Sequence, residues 1–156
     1  MLARAALLLL LGLAAACTAP AASHGCEGPA NDHVMLVDRL RCSGLRAEIG
    51  GRTTAANLRG FGTILILSGG TLRSEARVYS FNYDDTDLHA DGRAVAEADA
   101  KKFAPDGTLA DPGAVIAYDG PPHLYRRERV IAIYAGSDPA VTSLLTRLLG
   151  PQFAGR

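Results

Sequence analysis

The sequence predicts an α+β domain: one small unit in which an antiparallel sheet of about four to five strands carries helices on one face. Three observations support this prediction. Apolar residues make up 48% of the 156-residue chain and charged residues 21%, a balance typical of a packed globular domain. Segments with helical periodicity and short apolar or alternating segments follow one another in the order α-β-β-β-α-β-β-α. The links between these segments are short, which favours antiparallel neighbours.

The N-terminal half of the domain is predicted to begin with a helix over His33–Cys42. Asn31 or Asp32 can cap its start, positions 36, 37 and 40 form an apolar stripe, and Gly44 suits a left-handed helix end. Strands are predicted at 45–49, 61–67 and 76–83. The second of them is a nearly continuous apolar run, and the third alternates between two faces.

The C-terminal half is predicted to hold a helix at 92–103, strands at 114–118 and 129–135, and a last helix that starts after Asp138. Pro139 fits the first turn of this last helix, and Gly150 followed by Pro151 ends it. Its apolar stripe recurs at helical spacing and consists of Val141, Leu144, Leu145, Leu148 and Leu149.

The first sixteen residues have the pattern of an export signal. Arg4 precedes an unbroken apolar stretch over 5–16, which ends in small residues. As a helix, this stretch would be about 18 Å long. The hydrocarbon layer of a bilayer is about 30 Å thick, so the stretch is too short to remain as a membrane span. We therefore expect residues 1–16 to be a signal peptide that is removed.

The residues LAAAC at 13–17 resemble the lipobox of bacterial lipoproteins, whose cysteine receives diacylglycerol before the signal is cut off. The alternative is cleavage by an ordinary signal peptidase after the same small residues, which would give a secreted or periplasmic protein. Lipidation of Cys17 leaves Cys26 and Cys42 as an even pair that can form a disulfide in an oxidising compartment. The resulting organisation is a lipidated Cys17 with a tether over 17–30 and a domain over 31–156.

The same resemblance implies attachment to a bacterial membrane, and Thr18 after the cysteine favours the outer membrane if the host is Gram-negative. Charge excludes another class of partner. The chain has 16 basic and 16 acidic residues, and loss of Arg4 with the signal leaves 15 against 16, a net charge of −1. A near-neutral domain has no general attraction to nucleic acid, so we expect no nucleic-acid partner.

The sequence lacks the common motifs for catalysis and for cofactor binding. There is no G-x-S-x-G, no phosphate-binding glycine loop and no histidine spacing typical of zinc. The acidic run at 84–92 looks like a calcium loop when it is aligned on Asp87, but the twelfth position of that loop is Ala98 instead of glutamate. The sequence therefore predicts no catalytic residues, no metal ligands and no cofactor.

A predicted hairpin loop at 121–129 concentrates groups that bind carboxylate or phosphate. These groups belong to His123, Tyr125, Arg126, Arg127 and Arg129. The same composition also suits a solvated hairpin whose prolines protect a sheet edge. We expect a non-catalytic binding or accessory module for another envelope protein or a small anionic ligand. The alternative is a small envelope enzyme, hydrolytic in type, that pairs His123 with Asp119 or Glu128.

Several segments of the C-terminal half together resemble a group of small bacterial lipoproteins of unassigned function. They are FNY at 81–83, APDG at 104–107, PPHLYR at 121–126, IAIYAG at 131–136 and LLGPQFAG at 148–155. The resemblance covers 32–155 and implies a lipoprotein. It implies no catalytic residues.

Overall fold

A computed structural model describes residues 26–55, 58–81, 91–111 and 114–156. The predicted signal peptide, Cys17 and the tether up to residue 25 lie outside the described residues, as does most of the acidic run at 84–92. The predicted fold class is confirmed, because the described residues form a single small α+β domain with one open antiparallel sheet. Among the described helices, none has the length and apolar composition needed to cross a bilayer.

The described residues form three helices and six strands. In chain order they are α1 (His33–Cys42), β1 (Arg46–Thr53), β2 (Phe61–Gly69), β3 (Leu72–Ser80), α2 (Gly92–Ala100), β4 (Pro122–Arg127), β5 (Val130–Ala135), α3 (Pro139–Leu149) and β6 (Gln152–Gly155). The strands lie in the order β1-β2-β3-β5-β4-β6, and every neighbouring pair is antiparallel. After β3 the chain passes through α2 and forms β4 two positions away in the sheet. Strand β5 then fills the position between β3 and β4.

The ends of α1 and α3 form where the local signals predicted them, whereas α2, predicted over 92–103, ends at Ala100. The carboxylate of Asp32 accepts a hydrogen bond from the Met35 N–H at 2.8 Å, and Asp138 caps α3 in the same way through the N–H groups of Ala140 and Val141. Gly44, just beyond α1, has a φ of 89°, a conformation that favours glycine. These contacts satisfy backbone donors that have no partner within the helix.

The expectation that all helices lie on one face of the sheet is wrong, because the sheet has a hydrophobic core on each face. Helices α1 and α3 cover the first face, where Leu65, Val78 and Tyr134 are buried. Helix α2 and the segment after it cover part of the second face, where Tyr79 and Ile131 are buried. The physical reason lies in β5, whose VIAIYA sequence is apolar at nearly every position and therefore needs cover on both sides.

Three points of the predicted strand arrangement also need correction. Residues 122–127, predicted as a hairpin loop, form β4, and only Glu128 and Arg129 make the turn to β5. The predicted strand at 114–118 has no regular structure. Strand β6 was not predicted, and it raises the number of strands to six. The prolines before β4 suggested a loop, but Pro122 occupies the first position of the strand, where a proline is tolerated.

The predicted disulfide between Cys26 and Cys42 is present, with the two Cα atoms 5.3 Å apart. It joins the start of the described chain to the last residue of α1. Two hydrogen bonds fix the residues that follow Cys26: Arg39 Nη1 donates to the Gly28 carbonyl at 2.7 Å, and the Ala30 N–H donates to the Leu148 carbonyl at 2.8 Å. The segment between the tether and α1 is therefore held against the domain.

Candidate functional site

The five residues predicted to form one anion-binding loop are divided between the two faces of the sheet. Because side chains alternate along a strand, His123, Tyr125 and Arg127 lie on the face covered by α1 and α3. Arg126 lies on the opposite face, and Arg129 lies in the turn after β4. The loop predicted to present all five together does not exist as such.

His123 makes contacts that do not include the carboxylates proposed as its catalytic partners. Its Nδ1 lies 2.8 Å from Gln152 Oε1, and its ring stacks on Tyr134 with the centroids 6.0 Å apart. Glu128 pairs with Arg93 instead, at 3.5 Å, and Asp119 lines a groove on the second face of the sheet. The imidazole is therefore held by an amide oxygen and an aromatic ring.

Tyr125 belongs to the core. Its side chain is 1% exposed beneath α3, and its hydroxyl donates to the Thr142 carbonyl at 3.4 Å. Burial raises the pKa of Tyr125 above its ordinary value, which keeps the phenol neutral over the physiological range. Tyr125 contributes to packing and is not available to a ligand.

Arg126 and Arg127 do meet in a concave site, which we call the arginine cleft. It has a volume of about 380 Å³ and is lined by Arg93, Arg126, Arg127, Glu128, Leu149, Gly150, Pro151 and Phe153. The cleft lies at the end of the sheet where β4 continues past Tyr125–Gln152, its last pair with β6. Helix α2 contributes Arg93 near its start, and α3 contributes Leu149 at its end. Three separate parts of the chain thus converge here.

The three arginines of the cleft differ in what they already bind. Arg93 faces the Glu128 carboxylate, and Arg127 Nε donates to Asn31 Oδ1 at 2.9 Å. The guanidinium of Arg126 has no hydrogen bond or ion pair among the residues that the structure describes. Three arginines against one glutamate give the lining a formal net charge of +2. Arg126 is therefore the group with the most unused donors.

The pKa of the neighbouring Glu97 carboxylate is lowered by the positive charges around it. A hydrogen bond and the charge of Lys101 lower the pKa of Glu97, and the charges of Arg126 and Arg93 lower it further. Glu97 itself is paired with Lys101 at 3.0 Å on the exposed side of α2. Glu97 therefore stays ionised, and its close ion pair is with Lys101 and not with Arg126.

One wall of the cleft is apolar. Leu149, Pro151 and Phe153 form it, and Phe153 is 37% exposed. The Phe153 ring is held in place by an edge-to-face contact with Phe103, with the centroids 6.1 Å apart. A guanidinium binds carboxylate or phosphate oxygens through two parallel N–H donors. The arrangement can therefore hold an anionic group while an apolar substituent of the same ligand packs on the wall.

The sequence did not indicate Arg93 or Phe153 as parts of this site. Arg93 lies in a helix predicted only from its alanine content, and Phe153 lies in a strand that was not predicted. Neither residue has a neighbour in the sequence that marks it as part of a binding site. Both reach the cleft only because α2 and β6 return to the same end of the sheet.

A second concavity lies over the part of the second face next to the α2 core. It has a volume of about 440 Å³, with Ile66 and Ile133 among its lining residues, and Arg73, Arg77 and Asp119 also line it. Tyr118 closes one side; its hydroxyl donates to the Gly107 carbonyl at 2.9 Å, and burial raises its pKa to about 12. Charges of both signs line this groove, so it does not select for one ligand charge.

Within the described part of the chain, no three His, Cys, Asp or Glu side chains lie close enough together to hold a metal ion. Comparison of the chain with protein-family models, with curated proteins and with solved structures finds no match. The function of the chain is therefore inferred from its own residues.

Proposed function

We propose that this chain is a lipid-anchored bacterial envelope protein whose domain is a non-catalytic binding module. Its ligand, or the part of an envelope partner that it binds, carries an anionic group that occupies the arginine cleft. The observation that carries the binding function is the guanidinium of Arg126, which lies in a concave site and makes no hydrogen bond or close ion pair with the described residues. The anchor is supported by a separate observation, the pairing of the cysteines.

The disulfide supports lipidation at Cys17. Cys26 and Cys42 bind each other, so that Cys17 is the one cysteine of the three left for another role. A disulfide also fits export to an oxidising compartment. If an ordinary signal peptidase released the protein instead, the mature chain would begin with an unexplained free thiol.

The environment of Arg126 supports an anionic ligand. Arg126 is half-buried in the cleft, and a carboxylate or phosphate can accept two parallel hydrogen bonds from its guanidinium. A hydrogen bond to a charged group is worth about 1.5–3 kcal/mol, which corresponds to roughly 10- to 150-fold in affinity. His123 contacts Gln152 and Tyr134, which favours a structural role for that residue. Because the enzyme hypothesis needs His123 paired with a carboxylate, these contacts favour the binding-module hypothesis.

The anchor is tested by the intact mass and the membrane fractionation of the mature protein. We expect a chain that begins at Cys17 and carries a diacylglycerol and acyl mass, recovered with the membranes. Cys17→Ser is expected to give an uncleaved or soluble product, whereas a Cys26→Ser/Cys42→Ser double variant keeps the anchor. A mature chain with a bare thiol at residue 17, or one that retains 1–16, would refute the lipoprotein proposal.

The cleft is tested by titrating the mature protein with phenyl phosphate and with inorganic phosphate while amide resonances are followed by NMR. Phenyl phosphate is expected to shift resonances around Arg126 and Phe153 and to bind more tightly than phosphate. Arg126→Gln is expected to weaken this binding at least 10-fold. Arg52→Gln, which removes an exposed arginine from the edge strand β1, is the matched control and is expected to bind normally. Equal weakening by both variants, or no shift at the cleft, would count against the site.

A further inference from the structure

The disulfide determines which end of the domain is tied to the anchor. Cys42 is the last residue of α1, whereas Asn31, just before that helix, contacts Arg127 of the arginine cleft at 2.9 Å. The ten residues of α1 rise about 15 Å along the helix axis. Cys26 is therefore fixed at the end of α1 that points away from the cleft.

The two ends of the sheet correspond to the two ends of α1. The turn between β2 and β3 lies beside the residues that follow α1, because a side chain on Gly69 would lie 3.4 Å from Leu45 and 3.6 Å from the Gly44 carbonyl. At the other end of β3, Ser80 pairs with Val130, next to the turn that carries Glu128 and Arg129. A nine-residue strand is about 27 Å long from its first to its last Cα. The disulfide end and the cleft end are opposite ends of the sheet.

The distance from the anchor to the domain is bounded by covalent geometry. The chain from Cys17 to Cys26 can span at most about 30 Å when it is fully extended. This maximum is close to the length of the sheet. The cleft can face the anchoring membrane end-on only if nearly the whole available chain is stretched along the domain, whereas an upright domain on a shorter tether holds the cleft further from the membrane.

We infer that the arginine cleft opens away from the membrane that holds the protein, and that its anionic ligand comes from the aqueous side of the envelope instead of from the headgroups of that membrane. This inference rests on the proposed function, since it needs the anchor at Cys17. It identifies the source of the anionic group: a soluble molecule or the exposed part of a partner, carrying a carboxylate or phosphate beside an apolar group.

The test places the mature lipidated protein in lipid nanodiscs that contain a paramagnetic headgroup lipid, and NMR measures the loss of amide signal. We expect strong loss at the Gly69–Gly70 turn and little loss at Glu128 and Arg129. Equal loss at both ends, or greater loss at Glu128 and Arg129, would overturn the inference. The intact mass is measured first, because a missing lipid defeats the proposed function, whereas a reversed pattern in the lipidated protein defeats only the orientation.

Two further arms separate the sources of the anionic group and the cause of the orientation. Replacing neutral phosphatidylcholine in the nanodiscs by phosphatidylglycerol is expected to leave the Arg126 and Phe153 resonances unchanged, whereas added phenyl phosphate shifts them. A shift with phosphatidylglycerol alone would identify the headgroup as the ligand and contradict the inference.

Inserting eight residues between Thr18 and Gly25 keeps the disulfide and about doubles the maximal reach of the tether. The difference in signal loss between the two ends is expected to shrink, and an unchanged difference would exclude tether length as its cause.

Discussion

Loss of the disulfide between Cys26 and Cys42 is expected to lower the free energy of unfolding by about 3 kcal/mol. The two cysteines are separated by 16 positions in the sequence. In the chain-entropy model, a cross-link that closes a loop of this size removes about 10 cal/mol/K from the unfolded chain, or about 3 kcal/mol at 25 °C. In the folded state, the hydrogen bonds at Gly28 and Ala30 still hold the segment. The fold is therefore expected to survive, and the effect should arise mainly in the unfolded state.

The assay is urea denaturation of the mature protein and of its Cys26→Ser/Cys42→Ser variant, with Cys17 unchanged in both. Amide spectra recorded before denaturation establish that α1 is still folded in the variant. A difference in unfolding free energy below about 1 kcal/mol would refute the reasoning, because the cross-link would then place little constraint on the unfolded chain. Loss of the α1 resonances in the variant would also refute it, since the bridge would then be needed by the folded state.

Three further changes test the interior. Asp99 is fully buried and accepts the Arg59 N–H at 2.6 Å and Lys102 Nζ at 2.7 Å, so Asp99→Asn is expected to cost about 3 kcal/mol in urea denaturation. Glu97→Gln, which removes an exposed carboxylate from the same helix, is the control and is expected to leave the urea midpoint nearly unchanged; similar losses in both variants would contradict the argument. Gly62→Ala places a Cβ against the Thr53 carbonyl and is expected to lower the melting temperature. A melting temperature within about 2 °C of the parent would contradict this, because β1 would then move aside at little cost. The pKa of Tyr118 is raised to about 12, whereas an unfolded tyrosine titrates near 10, so the stability that Tyr118 contributes is present below pH 10 and is lost as the pH rises towards 12. Phenolate absorbance and urea midpoints measure this loss, and an equally steep loss in Tyr118→Phe would contradict it.

The parts of the fold that local signals predicted are those in which a few neighbouring residues carry the information. Asp32 and Asp138 cap their helices as expected, since a cap needs only a side chain and the N–H groups two or three residues on. The disulfide followed from counting cysteines once Cys17 was set aside. The strand β4 was missed because Pro121 and Pro122 are typical of loops, and nothing local shows that the chain pairs on both sides there.

The sequence by itself determined the boundaries of α1 and α3, the pairing of Cys26 with Cys42 and the presence of several arginines between residues 126 and 129. Tertiary structure alone decided which of these arginines share a site: alternation along β4 sends Arg126 and Arg127 to opposite faces, and they meet only because the cleft lies at the end of the sheet. It also brought Arg93 and Phe153 beside them from distant parts of the chain. The physical reason is that capping and cysteine count depend on local or additive properties, whereas a cleft depends on where strands pair and which faces are covered.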